Sequence, residues 1–308
     1  MKFTSKLAAV LALTCTLSGC ASSGQNIATL GEHTITADDA YESLMKTSNG
    51  KNAVFGYIVQ EIITANYPET DAMTTDADLT IEQLENSYVS YYGADAETYL
   101  TQALKESGFE DMAAYRKAII YSYQMQEFLN DYINKNIDTI FEEYYNACSP
   151  RYVSHILVKM ADPKNPTAEE QAKLDTVQKA INEGQDFAEL AKKYSDDGSA
   201  SAGGTLGLCD KNTSFVTEFL NKMLELEEGQ VSEATKTEYG YHFIKVTSTN
   251  KEDIKKDDKI SSLLQSYDQT MIYKALRNYE ITFNDEAIKE LYESTLDSYL
   301  ATTEGSAA

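Results

Sequence analysis

The chain has 308 residues, with 49 acidic against 26 basic side chains and a formal net charge of −23. That length suggests about two domains. The acidic balance argues against nucleic acid as a partner and against electrostatic attraction to anionic lipid. Beyond the first twenty residues no stretch is long and apolar enough to span a bilayer.

The first twenty residues read as a targeting segment rather than as fold. Lys2 and Lys6 precede an apolar run from Leu7 to Leu17, followed by Ser18, Gly19 and Cys20, the pattern of a secretory signal peptide. The ending Leu17-Ser18-Gly19-Cys20 resembles a bacterial lipoprotein box. The resemblance implies cleavage before Cys20 and a lipid on its sulfur and new amino group, with more than one acyl chain for stable anchoring. Without Lys2 and Lys6 the mature chain carries 24 basic against 49 acidic residues, or −25. Only Cys148 and Cys209 then remain in the body; two cysteines make no disulfide framework, and both are expected to be free.

Ala21 to Gln25 is small and polar, as a tether would be. Asn26 to Thr34 is expected as a strand, and Thr36-Ala-Asp-Asp39 opens a helix with a cap and early acids. An apolar-periodic run from Val54 to Tyr67 stops at Pro68. Asp71 to Thr80 is polar and acidic and reads as a loop. Ile81, Leu84 and Tyr88 repeat at helical spacing, Ala96 to Ser107 is a helix ended by Gly108, and a long amphipathic pattern runs from Asp111 past Ile133 toward Tyr145. After the central region, Ser248 to Lys256 reads as a charged linker and Ile260 to Ala275 as one helical stripe. Glu280 to Phe283 follows as a short strand and Asp285 to Tyr299 as a last helix.

The centre of the chain is different in kind. It begins Ser154-His155-Ile-Leu-Val158 and ends Tyr239-Gly-Tyr-His242-Phe-Ile-Lys-Val246, two runs that read as neighbouring strands and bring together two of the chain's three histidines. Between them lie Phe187-Ala-Glu-Leu-Ala-Lys-Lys-Tyr-Ser195 and Gly203-Gly-Thr-Leu206-Gly207. In order and spacing, apart from about one extra residue after Gly207, these four pieces resemble the parvulin family of peptidyl-prolyl isomerases.

That resemblance implies a catalyst without nucleophile, metal or cofactor. Leu206, Phe215 and Phe219 would cup a proline ring, with Phe215 and Phe219 on one face of a helix from Ser214 to Leu224. Read alone, apolar residues at this spacing are ordinary core. His155 and His242 would form a hydrogen-bonded pair behind the pocket, one ring donating where the other accepts. A lone histidine in a strand is more often a satisfied core residue, and the pair would serve partly as the floor of the site. Asp197 matches a family position held by cysteine or aspartate, and would otherwise be a solvated turn residue. Thr237 and Tyr239 match positions whose hydroxyls lie near the histidines. Cys209, Asp210 and Lys211 depart from the family's aromatic and glycine-rich continuation. The arginines of phospho-specific members have no counterpart after His155, because the chain's only arginines are Arg116, Arg151 and Arg277. No preference for phosphoserine-proline is therefore expected.

The helical segments on either side cannot bury their faces alone, so they are expected to pack on each other, with the central segment inserted between them. The expected architecture is α+β: an antiparallel four-stranded parvulin-like sheet with surrounding helices, set in a mainly helical, chaperone-like domain. The segments are 1–20 signal peptide, 21–149 N-terminal helices, 150–249 isomerase and 250–308 C-terminal helices. This layout is similar to the lipid-anchored extracytoplasmic foldases of the PrsA type. It implies an isomerase and foldase on the outer face of the cell membrane, held there by the Cys20 lipid. Its partners would be unfolded exported chains with X-Pro bonds, and the oligomeric state stays open, a dimer included. The alternative is a holdase whose parvulin segment has little or no activity. The presence of both histidines, Asp197, Leu206, Phe215 and Phe219 favours the enzyme.

Overall fold

The protein is described by a computed structural model covering residues 24–304. The expected signal peptide, the Cys20 lipidation site and the first tether residues lie outside the described residues. The chain divides into two compact units, one formed by residues up to Asn134 together with those from Gln269 onward, the other by Lys135–Asp268.

The first unit opens with a hairpin, β1 (Asn26–Leu30) and β2 (His33–Thr36), where the sequence suggests a single strand. Thr36 caps α1 (Ala37–Met45) in a reciprocal capping box with Asp39. Next come α2 (Ser48–Asn66), α3 (Asp71–Tyr92), α4 (Ala96–Glu106) and α5 (Met112–Lys135). The expected loop at Asp71–Thr80 is the first half of α3. Thr70 caps it and Met73 and Ala77, four apart, are buried, so the polar residues that suggested a loop are simply its wet face.

The second unit begins with α6 (Ile137–Cys148), separated from α5 by Asn136, which leaves helical geometry. It continues with β3 (Arg151–Lys159), α7 (Ala168–Asn182), α8 (Phe187–Tyr194), β4 (Thr205–Cys209), α9 (Thr217–Glu225), β5 (Thr235–Thr237) and β6 (Gly240–Ser248). The strands form an antiparallel sheet in the order β4-β3-β6-β5. Side chains alternate across it. Ile156, Val158 and Phe243 pack on α7 and α8. On the opposite face Val153 and Ile244 pack on α9 through Phe219 and Met223.

The expected linker at Ser248–Lys256 contains α10 (Lys251–Lys255), capped by Asn250 and holding Ile254 fully buried. Then α11 (Ile260–Tyr267) completes the unit. Segment boundaries expected at 149/150 and 249/250 would leave α6, α10 and α11 outside it. They belong to it because Lys251 and Lys255 pair with Glu142 and Asp138 of α6, and Tyr144 meets Tyr267 of α11 edge-on.

The chain then re-enters the first unit with α12 (Met271–Arg277) and α13 (Glu286–Glu304). The expected single stripe from Ile260 to Ala275 is broken at Asp268, whose extended backbone ends α11, so Leu264 and Ala275 serve different cores. Residues 280–283 form no strand. Ile281 and Phe283 pack on the helical core, and their alternation reports half burial without strand pairing. That core joins Phe55, Val59 and Ile63 of α2 and Phe128 of α5 to Leu276 of α12 and Tyr292 and Leu296 of α13. The N- and C-terminal segments thus bury their apolar faces on one another.

Candidate active site

Register explains how two histidines far apart in sequence meet. On β3 and β6, His155 pairs with Ile244 and Leu157 with His242, so the two histidines are diagonal neighbours on the α9 side of the sheet. Their rings stack at 5.4 Å and 14°. The two Nδ1 atoms are 3.2 Å apart. Phe219 of α9 stands edge-on to both, with ring centroids at 5.5 Å from His155 and 5.2 Å from His242. All three side chains are buried.

The edge of β3 brings up the carboxylate. β4 pairs with β3 only as far as Ser154. Beyond that point other groups must satisfy the β3 backbone. The Gly204 carbonyl accepts from His155 N–H at 2.8 Å, Ser195 Oγ from Leu157 N–H at 3.1 Å and Asp196 from Lys159 N–H at 2.9 Å. This turn holds Asp197 Oδ1 3.0 Å from His155 Nε2. The contact lies off the ring N–H direction, so charge and proximity hold it rather than an aligned hydrogen bond. Ser199 fixes the same carboxylate oxygen with its backbone N–H at 2.9 Å and its hydroxyl at 2.5 Å. Burial alone would raise the Asp197 pKa, but the Ser199 bonds and the His155 ring outweigh it and hold it well below the usual carboxylate range.

These contacts give the polar groups one direction. A carboxylate facing His155 Nε2 favours a proton on that nitrogen, which leaves His155 Nδ1 as acceptor. His242 then donates from Nδ1 and accepts at Nε2 from the Thr237 hydroxyl, 2.9 Å away. Thr237 Oγ1 in turn accepts from the Tyr239 N–H at 3.2 Å. Burial, and then the neighbouring His155, lower the His242 pKa to about 4, so this ring is neutral at pH 7. Tyr239 serves through its backbone: the ring is 52% exposed in the β5–β6 turn and its hydroxyl bonds neither histidine, unlike the expectation for that position.

Leu206 on β4, Phe215 and Phe219 border one apolar cluster with Met223 and Ile244. The helix expected from Ser214 starts at Thr217, so Phe215 lies on the extended entry to α9 and not on its face. It reaches Phe219 all the same, at 4.7 Å between ring centroids. The departure at Cys209-Asp210-Lys211 has a structural reason. Buried Asp210 accepts from the Tyr144 hydroxyl at 2.9 Å and from Asn212 N–H at 2.8 Å, folding the turn that presents Phe215. Cys148 and Cys209 are free and buried, and burial pushes the Cys209 thiol up to about 11.

Two contributors are not evident from the motif positions. Ser199 follows Asp197 by two residues, the spacing of an Asx turn, and that is the signal for it. Arg151 caps α9 by donating to the carbonyls of Met223 and Leu226, both at 2.9 Å, and so positions Phe219 from behind. An arginine at the start of an apolar strand must find buried partners, but sequence does not say which. Among the described residues no cluster of metal-ligating side chains occurs.

The family model for the PPIC-type PPIASE domain matches residues 144–250, which takes in every strand and helix framing the two rings. The unit is therefore a parvulin-type peptidyl-prolyl isomerase. Relatives over most of the chain extend this. Foldase protein PrsA of Geobacillus sp. (strain WCH70) is 30% identical over 83% of this chain and 87% of its own length. That of Geobacillus kaustophilus is 31% identical over 93% and 96%. A crystal structure of PrsA from Bacillus subtilis aligns with 88% of this chain and 99% of its own, at 25% identity and a TM-score of 0.39. The chain belongs to the PrsA family of foldases.

Proposed function

We propose that the isomerase site is the apolar cup of Leu206, Phe215 and Phe219 over the chain of Thr237, His242, His155 and Asp197, and that a lipid on Cys20 holds the protein outside the cytoplasmic membrane. The observation that carries the site is the hydrogen-bonded chain from Thr237 through His242 to His155, lying directly under Phe219.

Isomerisation breaks no covalent bond. The obstacle is amide resonance, which sets a barrier of about 18–20 kcal/mol although the two X-Pro isomers are nearly equal in free energy. A planar amide is a resonance dipole stabilised by water; the twisted amide has lost much of that dipole. An apolar cup that strips water from the proline side therefore costs the planar form more than the twisted one. His242, kept neutral, avoids placing a positive charge where it would stabilise the planar carbonyl. Asp197, kept ionised, disfavours the build-up of negative charge on that oxygen. The histidine pair gives this arrangement a rigid floor.

The location rests on the residues of the signal segment, Lys2, Lys6, the run Leu7–Leu17 and Leu17-Ser-Gly-Cys20. The clients would then be exported chains with X-Pro bonds. The helical segments on both sides would act as the chaperone-like part of the foldase.

Isomerisation of an unphosphorylated X-Pro peptide by residues 21–308 tests the site, with His242→Ala and Phe219→Ala alongside. Loss of catalysis in both folded variants is expected. Unchanged rates would place the chemistry elsewhere. Membrane fractionation of Cys20→Ser, expected to release the protein, tests the anchor separately.

A further inference from the structure

Among the described residues, eleven large hydrophobic side chains stand exposed, and ten of them lie between Ile27 and Tyr99. Four gather where α3 turns into α4: Val89 at 57% exposure, Tyr91 at 82%, Tyr92 at 38% and Tyr99 at 46%. Tyr92 is the hub. Its ring lies 4.8 Å from Tyr91, 5.6 Å from Tyr88 and 4.2 Å from Tyr99, the last nearly parallel at 22°. None of these rings belongs to the apolar core that joins the N- and C-terminal helices. A surface that holds stacked tyrosines in water, outside that core, has the make-up of a contact patch.

Its electrostatic setting says what it contacts. Glu85 lies three, four and seven residues before Tyr88, Val89 and Tyr92, on the same helix face. Glu82, Glu85, Asp95 and Glu97 are exposed and make no ion pair among the described residues. Between Asp71 and Asp111 the chain has ten acidic residues and one basic one, Lys105. The bias extends through this unit: residues 24–134 and 269–304 carry 25 acidic and 8 basic side chains, whereas 135–268 carries 24 and 16.

A second copy of this chain would bring the same acidic face and be repelled, as would an anionic surface. Lysine and arginine fit instead. Their apolar stems can lie along tyrosine rings, the cation can sit over a ring face, and its charge then falls within reach of the surrounding carboxylates. We propose that the tyrosine cluster at the α3–α4 junction is a docking surface for unfolded polypeptide segments that carry lysine or arginine beside apolar residues. The inference rests on the foldase reading, since it assumes that this chain holds unfolded polypeptide, and it adds which segments are held and where.

The test uses the full chain and two fluorescent unstructured peptides with identical apolar residues, one with lysine and arginine at four positions and the other with glutamate there. Fluorescence anisotropy is expected to give at least about tenfold tighter binding of the cationic peptide at low salt, with the advantage shrinking as salt is added. Two variants, Tyr91→Ser/Tyr99→Ser and Glu82→Gln/Glu85→Gln/Asp95→Asn/Glu97→Gln, should each lose at least about fivefold in that affinity. Isomerisation of a short X-Pro peptide, measured on the same samples, should be unchanged and serves as the check on folding. Equal binding of the cationic peptide by wild type and both variants would overturn the surface. Binding of neither peptide by an actively isomerising wild type would overturn the assumption that unfolded segments are held at all, a separate failure. Loss of self-association in the tyrosine variant, with peptide binding intact, would assign the patch to a second copy and also overturn the proposal.

Discussion

His155 and His242 are 87 residues apart in the chain, yet their Nδ1 atoms face each other at 3.2 Å beneath the edge of Phe219. One of these nitrogens must donate and the other accept, and the charge at Asp197 decides which. The pair is thus a polarised element whose direction is set from one end by Asp197 and Ser199 and from the other by Thr237.

Neutralising that end should be felt in catalysis. Asp197→Asn removes the charge facing His155 while keeping the side chain's size. Its kcat/KM on an X-Pro peptide is expected to fall by about tenfold, the scale of one close charge interaction at a partly buried site. Ser199→Ala, which only loosens the carboxylate, should cost about threefold. Near-UV circular dichroism should match wild type for both. An Asp197→Asn variant as active as wild type would remove the carboxylate from the mechanism.

Stability should depend on pH through His242. Its pKa is lowered to about 4 in the folded protein from an ordinary value of 6.5, by burial first and then by His155. Between these values the unfolded chain binds more protons than the folded one, so stability falls as pH drops from about 6.5 toward 4. The full window is worth roughly 3 kcal/mol at about 1.4 kcal/mol per unit. Urea denaturation at pH 7.5 and pH 5 should therefore show a larger loss for wild type than for His242→Asn. Equal losses would mean that this ring is not the group that resists protonation.

Gly204→Ala should be among the most damaging single changes in the second unit. A Cβ there would lie 2.2 Å from the His155 carbonyl oxygen, at a φ of +77°. Gly229 has a similar φ of +81° but open space around it. Gly229→Ala should cost only the conformational term, about 1 kcal/mol, whereas Gly204→Ala adds a backbone clash and should exceed about 3 kcal/mol. Thermal melts of the two variants measure the difference directly.

Phosphorylated substrates should gain nothing. Arg151 is spent on the C-terminal carbonyls of α9, Arg116 on Asp78 and Glu69, and Arg277 on Asp297. None of the chain's guanidiniums is thereby left free for bidentate phosphate binding. Isomerisation of matched Ser-Pro peptides with and without phosphate should proceed at comparable rates, and a gain above about tenfold with phosphate would refute this.

What sequence alone determined is what short-range chemistry controls. Thr36 with Asp39 marks the start of α1, and the runs Ser154–Val158 and Tyr241–Val246 mark two neighbouring strands that each carry a histidine. The motif order around them was enough to identify the isomerase domain. The start of α3 is helical although its residues are polar and acidic, because Thr70 caps it and two buried residues, Met73 and Ala77, suffice to seat it. The apolar stripe from Ile260 to Ala275 has a nearly continuous period, but its halves belong to different cores. Only the tertiary structure decided that the β3 edge beyond Ser154 is covered by the Ser195–Asp197 turn, that Arg151 closes α9, and that Asp210 shapes the rim through Tyr144. Capping and periodicity act over a few residues and leave their trace in the local sequence. The direction of a proton chain depends on groups that meet only once distant segments pack, and no local pattern records them.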